Sequence, residues 1–225
     1  PEVGEYWLKA DYSQQEPRLL THWACLVGQM GAEEVKEAYK KSDLDFHQQT
    51  ADMAGVERRL AKTIGLGVMY GMGYNKMARE LDIDPQDAKK MLADFRQRVP
   101  FMQGMLEAVM NRANSKGIIR TLLGRKCRFD LWEPSSWGVH KALPHNQAKV
   151  EYGDAIKRAG TYKALNRLIQ GSAADQTKKA MVDVYEELGV TPLIQVHDEL
   201  DCSVKGEKEA KEIQRVMETC VELEV

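Results

Sequence analysis

The chain has 225 residues, 34 acidic and 32 basic, for a formal net charge of −2, with 43% hydrophobic and 29% charged side chains. That length and balance fit one folded domain, or one core with a large subdomain attached, and exclude a disordered or collagen-like chain. No stretch approaches the roughly 20 apolar residues of a membrane-crossing helix and no charged-then-apolar leader opens the chain, so a membrane partner is not expected.

Residues 6–11, Tyr-Trp-Leu-Lys-Ala-Asp, read as a short strand that runs into a turn at 13–16. Pro17 is tolerated at the first position of a helix, so a helix is predicted from there to about Val27, broken by Gly28 and Gly31. Residues 33–41 read as helical. Asp43–Asp45 then suggest a loop or cap before a helix through His47 and Ala51. Residues 56–70 have helical periodicity, which Gly71–Gly73 ends. Asp84-Pro85 opens a helix to about Arg98, and Pro100 opens another through Asn114. Residues 116–129 suggest a basic hairpin, and 130–145, with clusters of tryptophan, proline and glycine, read as loop. A long helix is predicted over 164–188, stopped by Gly189. The apolar runs 192–196 and 200–204, joined by His197-Asp198-Glu199, predict a hairpin with charge at its tip, followed by an amphipathic helix over 207–222.

Four scattered cysteines, Cys25, Cys127, Cys202 and Cys220, form no C-x-x-C pair. That excludes zinc-ribbon spacing and a dense disulfide framework, and suggests reduced thiols in a cytoplasmic compartment. Charge is sorted along the chain: residues 1–57 carry a net −6, 58–110 +3, 111–167 +8 and 168–225 −7. A basic middle between acidic ends is what a protein needs if the middle holds polyphosphate and the ends hold divalent metal, although solvated helix faces also produce such runs.

Two strand ends carry carboxylates, Asp11 and Asp198. Rigid carboxylates can converge on two divalent ions about 4 Å apart, although either residue alone is an ordinary turn former. In the helix over 56–70, Arg58, Lys62, Leu66 and Tyr70 recur every four residues and share a face. Two cations, an apolar side chain and an aromatic ring match what a nucleoside triphosphate needs, whereas the bland alternative is a solvated basic end on a core helix. Gly65 and Gly67 weigh against that alternative, since each costs about 1 kcal/mol inside a helix unless something approaches closely.

Asp11-Tyr12-Ser13-Gln14-Gln15-Glu16-Pro17-Arg18, the run from Arg58-x-x-x-Lys62 to Tyr70-Gly71, and Gln195-Val196-His197-Asp198-Glu199 resemble motifs A, B and C of family A DNA polymerases. This is the group of bacterial DNA polymerase I and many phage replicative enzymes. Asp45-Phe46-His47 resembles the histidine element of the fingers, and Asn166 to Asp175 the palm helix that touches the primer-template minor groove.

The resemblance implies template-directed DNA synthesis with two Mg²⁺ ions, primer-template DNA and deoxynucleoside triphosphates. Asp11 and Asp198 would hold the metals, with Glu199 accessory, and Arg58, Lys62 and His47 would grip the triphosphate. Leu66 and Tyr70 would flank the nascent pair, and Glu16 would be the steric gate against a ribose 2′-hydroxyl. Asn166, Gln170 and His197 would face the minor groove and primer, where the acceptors shared by all pairs report pairing geometry. Arg120, Arg125, Lys126 and Arg128 would hold backbone phosphates. Structural alternatives stand beside these roles: Ser13-x-x-Glu16 also spells a capping box, His47 could be a packed core histidine, and Asn166 a helix cap.

The implied fold is α+β, a small antiparallel palm sheet with long helices and a mainly helical fingers insertion. Palm would occupy 1–44 and 145–225, fingers 45–144. Gln15 and Pro17 stand where motif A usually has aliphatic residues, and Leu66 where an aromatic is frequent. Cys127 interrupts what is often an arginine run. The opening Pro1 without methionine suggests a fragment or processed product. The thumb, the remaining palm and any exonuclease are expected from the same parent chain or a partner chain, in a bacterium or phage-infected cell. A single-subunit RNA polymerase fragment is the alternative enzyme, disfavoured by Glu16 and the glutamine-bearing palm helix. A non-catalytic DNA-binding subunit of a split polymerase is the alternative from another class.

Overall fold

The computed structural model describes residues 1–41, 44–136 and 138–225; Asp43, part of the predicted cap, lies outside them. Strand β1 (Tyr6–Asp11) leads into α1 (Gln15–Leu26), α2 (Ala32–Lys41), α3 (Phe46–Ala54), α4 (Arg58–Met69), α5 (Tyr74–Leu81), α6 (Pro85–Arg98) and α7 (Pro100–Lys116). A hairpin of β2 (Ile118–Arg120) and β3 (Lys126–Arg128) follows, then β4 (Leu131–Pro134), β5 (Leu143–Pro144), α8 (His145–Tyr152) and β6 (Ile156–Arg158). The chain continues through α9 (Ala164–Leu188), β7 (Ile194–Val196), β8 (Glu199–Val204) and α10 (Glu207–Thr219). Mixed helix and small antiparallel sheets make this an α+β chain, as expected.

The helix α9 organises the molecule because its two halves enter different cores. Leu165, Leu168, Ile169 and Ala173 join Leu19, Leu20, Phe46, Ile64, Phe95 and Phe101 in a large helical core. Further along, Ala180 and Val184 join Leu200, Cys202, Val204, Ile213 and Val216 in a second core beneath the sheet. Gly189, with φ 67°, stops the helix by taking the left-handed conformation that glycine adopts without strain.

The sheet order β1-β8-β7 is antiparallel throughout, with Asp11 opposite Glu199 and Lys9 opposite Asp201. Alternation puts Leu8, Ala10, Leu200 and Cys202 on the core side. By the same alternation Lys9, Asp11, Glu199 and Asp201 share the other face. The apolar pattern that anchors the sheet therefore gathers its charges on one side.

Three local expectations are corrected. Helix α1 begins at Gln15, so Pro17 sits in its first turn rather than at its first position, and residue 14, not 13, is the N-cap. Gln14 is left-handed (φ 55°) and makes no side-chain cap, so the capping-box alternative for Glu16 is not realised. Residues 130–145 are not all loop. β4 pairs with both β5 and β6, and Arg158 stacks over Trp132 at 4.7 Å. Arg158 also donates to the carbonyls of Asn114 and Phe129 at 3.1 and 2.8 Å. Strands of two to four residues, two of them ending in proline, give too little alternation to show in the sequence. The last helix ends at Thr219, three residues earlier than the pattern suggests, and α5 and α8 had no counterpart in the reading.

The departure at Gln15 has a structural counterpart. Its buried amide donates to Gln176 Oε1 and Thr177 Oγ1, both at 3.2 Å, on α9. Gln15, Gln176 and Thr177 are all buried, so a polar cluster joins α1 to α9 there. Gln15→Leu should cost about 1–3 kcal/mol by stranding those partners, whereas the Gln15→Leu/Gln176→Leu pair should recover much of it. Thermal denaturation of the three proteins checks this; equal stability of wild type and single variant would show the cluster to be neutral.

Candidate active site

The carboxylate centre forms where β1 and β8 end. Pairing of Asp11 with Glu199, together with the Tyr12 amide donating to the Asp198 carbonyl at 3.4 Å, brings the turn beside the strand end. Partial burial, with the charges of Asp198 and Glu199, raises the Asp11 carboxyl above its ordinary value. Lys9 opposes that shift, and its Nζ lies 3.0 Å from Glu199 Oε1. His197 completes the turn in the left-handed conformation (φ 56°), its carbonyl accepting from Gln195 Nε2.

This centre fits Mg²⁺. Its donors are hard carboxylate oxygens, and the mutual repulsion felt at Asp11 is what a cation relieves. Among the described residues no three His, Cys, Asp or Glu side chains form a ready metal cage. Mg²⁺ takes one or two protein carboxylates and completes its shell with water and substrate phosphate.

A second group forms between α3 and α4. Asp45 caps α3, its Oδ1 accepting from the amides of His47 and Gln48 at 3.0 and 3.1 Å. Its Oδ2 accepts from Arg58 Nε at 2.7 Å, and this pairing is the chief cause of its lowered pKa. Burial first, then the charges of Lys62 and Arg58, push His47 below its ordinary value. His47, Arg58 and Lys62 therefore share one electropositive neighbourhood, although they come from two helices. The face Arg58-Lys62-Leu66-Tyr70 is exposed at both cations and at Tyr70, whereas Leu66 is half-buried against the helical core.

Helix α4 closes with Gly71 at φ 70°, where an added Cβ would lie 2.8 Å from the Tyr162 carbonyl. At Gly67 an added Cβ would meet the Met72 side chain at 2.7 Å. The close approach that these glycines allow is thus by the chain itself. Tyr70 is the C-cap residue of the helix.

Glu16 and Tyr70 meet there. Tyr70 Oη donates to Glu16 Oε2 at 2.6 Å, and burial together with Glu16 pushes the phenol up to about 12, while nearby Gln170 pulls it the other way. Asn166, one turn earlier on α9, has a buried Oδ1 with no hydrogen-bond partner among the described residues.

The basic residues divide. Arg125, although its side chain is half exposed, is paired, donating to the buried carboxylate of Asp175 at 2.9 Å and to the Gly171 carbonyl at 2.7 Å. Arg120 reaches the Gly124 carbonyl at 3.0 Å. Lys126 and Arg128 stay exposed, in no ion pair among the described residues. With Arg125, Arg167 and Gln170 they line a groove along α9. Arg167, whose guanidinium lies 4.9 Å over Phe129, was not a candidate in the sequence, and nothing in its spacing distinguishes it. Lys9 and the Arg58 contact of Asp45 were also missed, because ion pairs between elements leave no periodic signal.

A family model described as DNA polymerase family A matches residues 1–225. A relative from Pseudomonas phage M6, named DNA-directed DNA polymerase, is 36% identical over all of this chain and 37% of its own length. A thermostable DNA polymerase I from Thermus filiformis is 32% identical over all of this chain and 26% of its own. The polymerase domain of Pol1 from M. smegmatis, solved in complex with DNA primer-template and dNTP, superposes with a TM-score of 0.76 at 29% identity. It covers 98% of this chain, which covers 38% of it. The chain thus spans between a quarter and two fifths of the length of these relatives.

Proposed function

The chain belongs to DNA polymerase family A, and from that membership we propose that it carries the catalytic and nucleotide-gripping part of a template-directed DNA polymerase. The observation that carries this reading is the placement of three separate groups. The Asp11–Asp198 turn, the His47–Arg58–Lys62 cluster and the Glu16–Tyr70 pair come from distant parts of the sequence and belong to connected elements. On this reading residues 1–44 and 145–225 are palm and 45–144 fingers, and the thumb, remaining palm and any exonuclease lie in other polymerase segments.

The triphosphate is held by Arg58, Lys62 and His47. Arg58 offers its terminal nitrogens, Lys62 a point charge, and His47 a ring that accepts a proton more readily once anionic oxygen arrives. Tyr70 and Leu66 pack beside the nascent pair, and Glu16, pinned by the Tyr70 hydroxyl, fills the space a 2′-hydroxyl would enter. Asp11 and Asp198 would hold two Mg²⁺ ions, which lower the pKa of the primer 3′-hydroxyl and offset charge on the transferred phosphate. Asn166 and Gln170 offer amides to the minor groove. Lys126, Arg128 and Arg167 steer the backbone, while Arg120 and Arg125 shape the hairpin that presents them, with donors left over for phosphate.

The test is complementarity. With a dideoxy-terminated primer-template and Mg²⁺, the matched deoxynucleotide should be retained and the three mismatched ones not. Retention regardless of template base would remove the templating role.

The histidine adds a pH dependence. Burial and the charges of Lys62 and Arg58 hold His47 below its ordinary value in the free protein, and bound polyphosphate opposes that shift, so binding takes up a proton. Nucleotide affinity should therefore increase as pH falls toward and below the ordinary histidine value of about 6.5. His47→Gln should flatten the dissociation constant against pH, and a profile unchanged by the substitution would place the titrating group elsewhere.

A further inference from the structure

We propose that Asp45 is a positioning residue for the triphosphate group, holding Arg58 and His47, which come from different helices, in one aligned unit. The inference rests on the nucleotide-binding reading above and deepens it.

The carboxylate divides its oxygens between two helices. Oδ1 accepts from the His47 and Gln48 amides, fixing the first turn of α3 and with it the backbone that carries the imidazole. Oδ2 accepts from Arg58 Nε in the first turn of α4. An arginine held through Nε keeps its two terminal nitrogens for another anion. Among the described residues those nitrogens make no hydrogen bond, and Lys62 lies one turn further along the same face. The Asp45 charge also opposes the mutual effect of three neighbouring basic groups, acting on His47 against Lys62 and Arg58.

The unit is registered to the carboxylate centre through Gln14, three residues after Asp11. Its amide nitrogen donates to the Leu44 carbonyl at 2.6 Å, and its oxygen accepts from the Phe46 amide at 2.9 Å. The residues on either side of Asp45 are thus clamped to the loop that leaves β1, so Asp45 is held from both sides. This accounts for the left-handed backbone of Gln14, which turns its side chain toward α3 in place of capping α1.

Both side chains of the ion pair are about half exposed, 45% for Asp45 and 49% for Arg58. Such a pair contributes little to folding, so its removal should appear in nucleotide binding rather than in stability. Asp45→Ser keeps a hydroxyl cap on α3 and removes the partner of Arg58; Asp45→Asn likewise keeps one oxygen for the cap but turns an NH₂ donor toward Arg58 Nε where Oδ2 had accepted.

The experiment measures the dissociation constant of the matched Mg²⁺–deoxynucleotide on a dideoxy-terminated primer-template complex of the protein, with the thermal midpoint alongside. Asp45→Ser and Asp45→Asn, which each keep a cap and lose the acceptor of Arg58 Nε, should both weaken binding about fivefold at an unchanged midpoint. In an Arg58→Ala background Asp45→Ser should cause no further loss, since the contact is already gone. Equal or tighter binding by Asp45→Ser, or the same loss in the Arg58→Ala background, would overturn the proposal and leave Asp45 a helix cap. Wild-type protein that bound no matched deoxynucleotide would instead remove the nucleotide-site reading, and this inference with it.

Discussion

Replacing Asp198 with Asn is expected to lower primer extension by about a thousandfold or more, roughly 4 kcal/mol of barrier, while primer-template affinity changes little. The asymmetry follows from position. Asp198 lies in the turn between β7 and β8, where its backbone carbonyl accepts from Tyr12, and an amide of the same shape keeps that turn. What is lost is one negative charge at a centre where Asp11 already feels both neighbouring carboxylates. The basic groove of Arg125, Lys126, Arg128 and Arg167 runs along α9 and includes no residue of that turn, so duplex binding is not expected to follow. Extension at the wild-type rate by Asp198→Asn would remove the residue from the metal-binding role.

Glu16→Ala should relax the choice of sugar, narrowing the preference for deoxy- over ribonucleotides by about a hundredfold. In the structure Glu16 is held by the Tyr70 hydroxyl at 2.6 Å, so the proposed gate would be a pair and not a lone side chain. Tyr70→Phe should therefore loosen selectivity in the same direction but less, since the carboxylate remains and only its anchor goes. Competition between a matched deoxynucleotide and its ribonucleotide gives both ratios. Unchanged selectivity in Glu16→Ala would take Glu16 out of the gate.

Much of this site was legible because its residues lie at element ends that the sequence marks. Asp11 closes a strand, Asp198 tips a hairpin, and Arg58, Lys62 and Tyr70 fall on one face at the spacing of four that a helix requires. The long helix and its glycine stop were equally clear. The cross-links between elements were not legible, since a contact such as Asp45 to Arg58 or Gln14 to Leu44 depends on how helices pack and leaves no local pattern. Arg125 shows the reverse failure. In sequence it is one of four equivalent cations, and only the buried Asp175 on α9 separates it from Lys126 and Arg128. The small sheet of β4, β5 and β6 was missed because it is held by Arg158 and Trp132, not by alternating apolar residues.

The most direct measurement is incorporation of a single deoxynucleotide onto a labelled primer opposite each of the four template bases, with and without Mg²⁺, in samples where bound primer-template and nucleotide are quantified. The account predicts Mg²⁺-dependent addition of the matched deoxynucleotide alone, lost in both Asp11→Asn and Asp198→Asn. Addition that survives either substitution, or a bound and matched nucleotide that is never transferred, would contradict it.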